Sequence, residues 1–502
     1  MTSAHAPEAP SVHGVGAALA QRLRAVAPFV VEAVPDADPV PQQDAGTVLT
    51  TLVEELRSRA DASKAWLVWT ALTGAFPTHD ELASMRRHLE LTDTLGSVQW
   101  LLEAGLSAVV GGGSPDAELE VLDQGVVVDV DFCATSDHHT GIQRVVRETV
   151  PRWVRDHDLT LVAWTAAGGA TRRLTGSETD RVIRWGTSSA ARTVDGPTRP
   201  RLVVPWRSVV VFPENPEPQR CPALAALAEL SGNTATVLGY DCIPVVSPEL
   251  IHPGLPDRFM RYLHLVKHAR TVAAISSSAR DEFEGFSQMM GAQGLTGPAV
   301  VEVALPMQVP EVEARPSPTG APLVIAVGSF EPRKNQLAVL HAAERLWREG
   351  HRFRLRFIGG GGWRTEFDAE LNRLAARGRD VDIAVRLSDR ELWQAFADAR
   401  FTVFASLHEG YGLPVAESLA HGTPALTTGY GSTAEIAAEG GALTVDPRDD
   451  DALMAGMRRL LTDDDLLCEL EAQAASRPTR TWDDYAAESW RVLVAEHVEE
   501  TA

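Results

Sequence analysis

The sequence predicts an α/β protein in which two parallel-sheet halves follow an all-helical N-terminal segment. Three observations carry this expectation. Up to about residue 118 the apolar residues recur at helical spacing, as in "AGTVLTTLVEELRSRA" and "DELASMRRHLELTDTLGSVQWLLEAG". From residue 121 short β-branched runs alternate with helical patterns, the texture of a parallel sheet built from strand–helix units. A proline-rich stretch, "PMQVPEVEARPSPTGAP" (306–322), then separates this series from a second one and reads as an interdomain linker. A chain of 502 residues is also too long for one core, so two or three domains are expected.

In chain order, Gly105 is a plausible stop for the last leader helix, and "GGGSPD" (111–116) reads as a linker. Trp66, Trp69 and Trp100 are expected to form the leader's core, the alternative being a surface for sugar stacking or a partner. "GVGAAL" (14–19) is not a dinucleotide fingerprint, because it lacks the third glycine and no strand precedes it. The first α/β series runs through "GVVVDVDF", "TGIQRVVRETVPRWV", "LTLVAW", "SVVVFP", "TATVLGYD" and "TVAAISS". The second runs through "PLVIAVGSF", "RFRLRFIGGGG", "SDRELWQAFADA" with a Ser388–Glu391 capping box, "RFTVFAS", "HEGYGLPVAESLAHG", "TPALTT" and "GALTVDP". The expected units are 1–118, 119–308 and 309–480, with a last helix in 481–502 crossing back toward the first half. Ligands in such sheets bind beyond the carboxyl ends of the strands, here in the cleft between the halves.

Composition excludes several classes. The content is that of an ordinary globular protein, 44% hydrophobic and 23% charged. A net charge of −22 argues against a nucleic-acid partner and a broad basic membrane surface. There is no apolar run of membrane-spanning length and no secretory pattern at "MTSAHAPEAPSVHG". Cys133, Cys221, Cys242 and Cys468 lie far apart without metal-type spacing, so a cytoplasmic protein with free thiols is expected. Lys64, Lys267 and Lys334 are the only lysines, which makes each of them informative.

The stretch "HEGYGLPVAE" (408–417) places Glu409 and Glu417 around a bendable turn at the end of a buried strand. Gly410 and Gly412 are expected to take positive φ, Pro414 the first helical position, and Gly422 to end the helix. Glu417 then falls in the first turn, where the helix dipole favours a carboxylate. A continuous helix would hold the two glutamates about 12 Å apart, whereas a glycine turn brings both to one ligand.

"SLHEGYGLPVAESLAHGTPALTT" resembles the Glu-x7-Glu signature of family-4 retaining glycosyltransferases. The resemblance extends through "AVGSFEPRKNQLAVLHAAERL", "IGGGG", "LSDRELWQAFADARFTVFAS" and "GSTAEIAAEGGALTVDP" and covers roughly residues 122–495. It implies a GT-B fold, two Rossmann-like domains with a nucleotide-sugar donor in the cleft. It implies Glu409 for hydroxyls of the donor sugar and Glu417 for the nucleotide ribose. An ionised carboxylate accepts hydroxyl donors and would be wrong against a diphosphate. Arg333 and Lys334 in "SFEPRKNQ" match the family's diphosphate-binding positions and would stabilise the leaving nucleotide. The donor set is completed by Gly328 before that turn and by Gly410, Tyr411, Gly412 and Leu413, whose amides open a helix.

In the first half, "TGIQRVVRE" resembles a subset of these enzymes that build bacterial surface polysaccharides, several of them mannosyltransferases. Gly141 would let the chain approach the donor phosphates, while Gln143 and Arg144 start the helix that follows. His138, His139 and Arg144 are the acceptor-side candidates. Asp129 and Asp131 would share one strand face and hold a metal in a GT-A enzyme, but the GT-B resemblance implies no metal and no cofactor. "VLGYDCIPVVSPEL" resembles the family's segment near the transferring sugar, with Asp241 and Pro244 matching and Tyr240 standing where many relatives have histidine. Ser276–Ser278 read equally as helix caps or acceptor contacts.

The expected function is a retaining hexosyltransferase that moves a mannose-like sugar from a nucleotide-diphosphate donor to a glycan or lipid-linked acceptor. "TGIQRV" points to GDP-mannose, and peripheral membrane contact stays open. Arg333, Lys334, Glu409 and Asp241 are the residues expected to carry catalysis, by front-face displacement without an enzyme nucleophile. The rivals are a GT-B epimerase or phosphorylase and a non-catalytic GT-B scaffold.

Overall fold

The computed structural model describes residues 12–31, 44–108, 110–186, 201–310, 320–362, 364–385 and 387–501. Most of the proline-rich linker, 311–319, lies outside them.

The leader folds into helices Val12–Val30, Ala45–Ser58, Ala62–Thr73, His79–Leu91 and Thr94–Ser107. Asp44, Asp61, Thr78 and Asp93 cap the last four, each accepting backbone N–H bonds from the first turn that would otherwise lack an acceptor. "GVGAAL" lies inside the first helix. Trp66 and Trp69 are buried, and Trp100 stacks on His88 at 4.1 Å between ring centroids. The leader has no core of its own. Leu52, Trp66, Leu67 and Met85 belong to the same apolar cluster as Val127, Leu202, Phe212 and Val237 of the first sheet.

The "GGGSPD" segment joins the leader to the first strand, as its linker reading has it, but it does not hang free. It is packed, because the buried Arg22 guanidinium donates to the carbonyls of Ala71 (2.7 Å), Pro115 (2.8 Å) and Ala117 (2.7 Å) and ties the turn to the helices.

The first sheet has nine strands among the described residues. Their spatial order is Glu118–Asp123, Arg201–Trp206, Thr171–Arg173, Thr160–Trp164, Val126–Asp129, Val209–Phe212, Thr234–Gly239, Thr271–Ala274 and Ala299–Glu302. Thr171–Arg173 alone runs antiparallel to its neighbours. The second sheet is parallel throughout, in the order Val381–Ala384, Arg354–Ile358, Leu323–Val327, Phe401–Phe404, Ala425–Thr428 and Ala442–Val445. Strands such as Val209–Phe212 and Phe401–Phe404 are buried along their whole length, as covered parallel strands must be.

The two halves meet through an apolar cluster that joins Leu238, Tyr240 and Ile275 to Phe404, Tyr411 and Val415. The C-terminal helical segment, beginning with Trp482–Trp490, returns to the first half. There Trp153 Nε1 donates to Ala486 O (2.9 Å) and Thr236 Oγ1 to Leu493 O (3.0 Å). Among the described residues no helix is long and apolar enough to cross a membrane.

Candidate active site

Strand Phe401–Phe404 ends beneath the cleft, and the chain turns through Glu409–Gly412 into helix Leu413–Ala420. Gly412 takes the left-handed conformation (φ 105°) that starts the helix, and Gly422 (φ 76°) follows its end. Gly410 does not take a positive φ as expected; its need is space. A Cβ there would lie 2.5 Å from Tyr240 O and 3.0 Å from Asp241 Oδ2, so the loop presses directly on the first half. Leu413 occupies the first helical position and Pro414 the second. Glu417 therefore sits in the second turn, not the first, and the dipole argument for it loses most of its force.

The two glutamates meet different cations. Glu409 accepts from Arg333 NH1 (2.9 Å) and from Lys334 Nζ (2.5 Å). Glu417, buried at 6% exposure, pairs with Arg144 from the other half, whose guanidinium also lies 5.0 Å from the Trp393 ring. Burial alone would raise the Glu409 carboxyl, but Arg333 and Lys334 outweigh it and hold it down at about 2. Burial pulls the Lys334 ammonium below its usual value, against the pull of Glu409. Burial also opposes the Arg333 charge, yet Glu409, Glu331 and Asp241 more than compensate.

Arg333 and Lys334 stand in the tight turn Pro332–Lys334 after strand Leu323–Val327. Arg333 Nε donates to Glu331 Oε2 (2.8 Å), a partner that the sequence reading did not single out. Gly328 gives its N–H to Ile358 O (2.9 Å) and takes φ 149°, a backbone conformation that side-chain-bearing residues rarely adopt. Tyr411 turns its side chain away from the cleft, into the interdomain core, where its hydroxyl donates to Leu305 O (2.8 Å). What it can offer a ligand is backbone.

From the first half, Asp241 faces this turn. Burial, reinforced by the Glu282 charge, pushes its carboxyl up to about 6 against the opposing pull of Arg333. Beside it lies a pair that the sequence reading missed: Glu282 Oε1 and His408 Nε2 are 2.6 Å apart, and His408 Nδ1 is 2.8 Å from Ser247 Oγ. Burial opposes the His408 charge, but the Glu282 hydrogen bond prevails and raises the imidazole. His408 opens the quoted "HEGYG"; only its partner, 126 positions away, was invisible.

The other first-half candidates divide. Gly141 packs against the second half, where a Cβ would lie 3.4 Å from Leu413 Cδ1. Gln143 closes the helix cap by accepting from Thr140 N (3.1 Å). His138 is exposed. His139 Nδ1 lies 2.9 Å from Arg147 NH1, and its ring stacks on Trp185. Tyr240 is buried and donates to Pro213 O (2.8 Å).

Asp129 and Asp131 do not alternate along one strand as expected, because a short helix, Asp131–Thr135, begins at the second. Both carboxylates are taken by protein donors. Asp129 accepts from Trp164 Nε1 (2.9 Å), while Asp131 accepts from Trp164 N (2.8 Å) and pairs with Arg220. Ser276 caps its helix through Ala279 N (3.0 Å) and donates to Gly410 O (2.6 Å). The N–H groups of Ser277 and Ser278 bind Glu435 of the second half at 3.0 and 2.7 Å.

The arrangement thus offers two cations and a carboxylate from the second half, and a carboxylate facing them from the first. This is a set suited to a sugar joined to a diphosphate.

Residues 310–477 match the family described as glycosyl transferases group 1. Over 340 residues, 62% of the chain, it is 25% identical to a serotype-specific mannosyltransferase WbdA of Escherichia coli, of which this covers 40%. It is 32% identical over 139 residues, 28% of the chain, to the O-antigen chain mannosyltransferase B of the same organism, covering 36% of it. A third relative, the MMP alpha-(1->4)-mannosyltransferase of Mycolicibacterium hassiacum, is 33% identical over 144 residues, 28% of this chain and 34% of its own. The chain therefore spans about two fifths or less of the length of these curated relatives. The solved sucrose-phosphate synthase of Thermosynechococcus elongatus superposes with a TM-score of 0.53 at 12% identity, over 75% of this chain and 99% of that one, a likeness of fold. With two facing α/β halves and this superposition, the chain has the GT-B fold, and its residues 310–477 are similar to the glycosyl transferases group 1 family.

Proposed function

We propose that the protein is a retaining glycosyltransferase that moves a mannose-like hexose from a nucleotide-diphosphate donor to a glycan or lipid-linked acceptor in polysaccharide or glycoconjugate synthesis. The observation that carries this reading is the convergence of Arg333, Lys334 and Glu409 within hydrogen-bonding distance at the strand ends, with Asp241 opposite. The similarity to mannosyltransferases supports the sugar; GDP-mannose is the donor we would test first.

In this reading Arg333 and Lys334 leave Glu409 for the donor's diphosphate. Charge that builds on the departing β-phosphate then meets cations already desolvated and in place. Glu409, released, accepts hydroxyl donors of the sugar, and Glu417 takes the ribose diol once Arg144 moves aside. Asp241 faces the transferring sugar. The glutamates act as acceptors of hydroxyls and not as the acid and nucleophile of a glycosidase. The donor phosphate itself helps to deprotonate the acceptor hydroxyl. No bound metal has a role in this scheme, and none of the described contacts of Asp129 or Asp131 calls for one.

The test is incubation with a panel of nucleotide sugars, with and without a mannan or lipid-linked oligosaccharide, following nucleotide release and product mass. Acceptor-dependent release with an axial product linkage is expected. Conversion of donor to its epimer without acceptor would replace the assignment by an epimerase. Failure of every donor to bind would leave a GT-B scaffold.

A further inference from the structure

Away from the cleft, three imidazoles and one carboxylate crowd the seam between the helical leader and the first half. His79 opens helix His79–Leu91 of the leader. Glu229 lies in the last turn of helix Cys221–Leu230. His264 is in helix Leu255–Val266, and His268 follows it by two residues. His79 Nε2 is 2.5 Å and His268 Nδ1 is 3.3 Å from the same oxygen of Glu229. One ligand atom each from His79, Glu229 and His268 lies within 4.8 Å of the others. The His264 ring centroid is 5.6 Å from that of His79 and 5.8 Å from that of His268.

The geometry points to a binding site for a divalent transition ion of the zinc class, held by His79, Glu229 and His268, that clasps the leader to the first half. This is independent of the proposed transferase activity and departs from the expectation of a metal-free protein.

The ligand set is two imidazoles and a carboxylate, the nitrogen–oxygen donor type that zinc prefers. Bonds of about 2.0–2.1 Å in a tetrahedron put neighbouring ligand atoms about 3.3 Å apart. The Glu229–His268 separation already has this value. The shorter His79–Glu229 contact would open by less than about 1 Å as the ion replaces the hydrogen bond. A fourth position remains for water or, after a rotamer change, for His264.

The site is also reachable. Glu229 and His268 line a groove of about 800 Å³, while the three side chains are only partly exposed, at 30%, 40% and 10% for His79, Glu229 and His268. Lys267, the one ammonium nearby, donates instead to Gln293 Oε1 at 2.8 Å. The last-turn carbonyls of two helices add negative partial charge on the side from which Glu229 and His268 come.

The bland alternative is a plain hydrogen-bonded His–Glu pair, and one substitution separates the two. His79→Asn keeps an N–H donor for Glu229 but is a poor zinc ligand. Full-length protein without a histidine tag, stripped with a chelator, is titrated with Zn²⁺ by calorimetry and with Co²⁺ by visible absorption. We expect one ion per chain and the intense bands of tetrahedral cobalt. His79→Asn and His268→Ala should each weaken binding by about tenfold or more, whereas His138→Ala should not. Zinc should also slow proteolytic release of the leader from wild type but not from His79→Asn. Absence of stoichiometric binding at micromolar ion overturns the inference, as does binding that survives both ligand substitutions. If a variant unfolds, the wild-type stoichiometry and cobalt spectrum decide alone.

Discussion

Replacing Glu409 by glutamine should destabilise the free protein and make it more responsive to nucleotide. The carboxylate neutralises two buried cations at once, Arg333 and Lys334, and is itself only 10% exposed. Its carboxyl falls from 4.5 to about 2 on folding. At about 1.4 kcal/mol per pKa unit this corresponds to roughly 3 kcal/mol of favourable interaction. Because the folded value is depressed, the contribution is complete above pH ~4.5 and is lost as pH falls toward ~2. The wild-type minus Glu409→Gln stability difference should therefore be flat from pH 5 to 8 and shrink in acid. On the proposed reading, a nucleoside diphosphate would carry the missing negative charge to the same two cations. Thermal unfolding with and without UDP, GDP or ADP should show a lower melting point for the variant. It should also show a larger upward shift on adding the diphosphate that the wild type binds. Turnover should fall strongly, since the sugar loses its hydroxyl acceptor. A variant as stable as wild type, with the same nucleotide response, would refute the assignment of these cations to the phosphates.

Three further outcomes follow from the same geometry. Lys334→Ala should keep the fold, by circular dichroism, and lose on the order of 10²-fold in kcat, because the leaving diphosphate loses a preorganised cation. Asp241, lifted to about 6, is disfavoured in its ionised form by the fold. That penalty grows as pH rises from ~4 to ~6 and is full above it, so Asp241→Asn should melt higher than wild type at pH 8 while losing turnover and the acid limb near pH 6 in the pH–rate profile. Gly410→Ala would place a methyl 2.5 Å from Tyr240 O. It should force the halves apart, lowering the melting point and raising KM for donor, both readable in a single preparation.

The local parts of the site were legible in the sequence. A strand followed by "HEGYGLP", and a second strand followed by "EPRK", announce two turns whose geometry depends on glycine and proline a few residues away. What the sequence hid depends on how the halves meet. Arg144 and Glu417 are 273 positions apart, and nothing near either predicts the other. Gly410 looked like a glycine of unusual φ, yet its constraint is the backbone of Tyr240 across the cleft. Of Ser276–Ser278, which read equally as caps or acceptor contacts, Ser276 is the cap, but Glu435, which fills that helix end, comes from the opposite domain. The leader misled for a related reason. Its helical periodicity is real, but its apolar face closes on the first sheet, so a boundary at residue 118 divides one continuous core.

The charges of the cleft are balanced before any ligand arrives: Glu409 by Arg333 and Lys334, Glu417 by Arg144, and the helix end at Ser277–Ser278 by Glu435. This changes what binding a donor must cost. A site of unpaired cations would be expensive to fold, and a diphosphate buried without cations would be expensive to bind. On the proposed reading the donor enters by exchange of partners: phosphate oxygens for Glu409 at Arg333 and Lys334, and sugar and ribose hydroxyls for cations at the glutamates. Arg333, Lys334 and the two glutamates each keep a partner throughout, so selectivity rests on whether the incoming molecule offers both phosphate and hydroxyls at the right separation. A free diphosphate satisfies Arg333 and Lys334 but leaves Glu409 short of donors, and a free sugar does the reverse. The intact nucleotide sugar alone completes both exchanges, and it should stabilise the closed arrangement of the halves more than either fragment does at matched saturation.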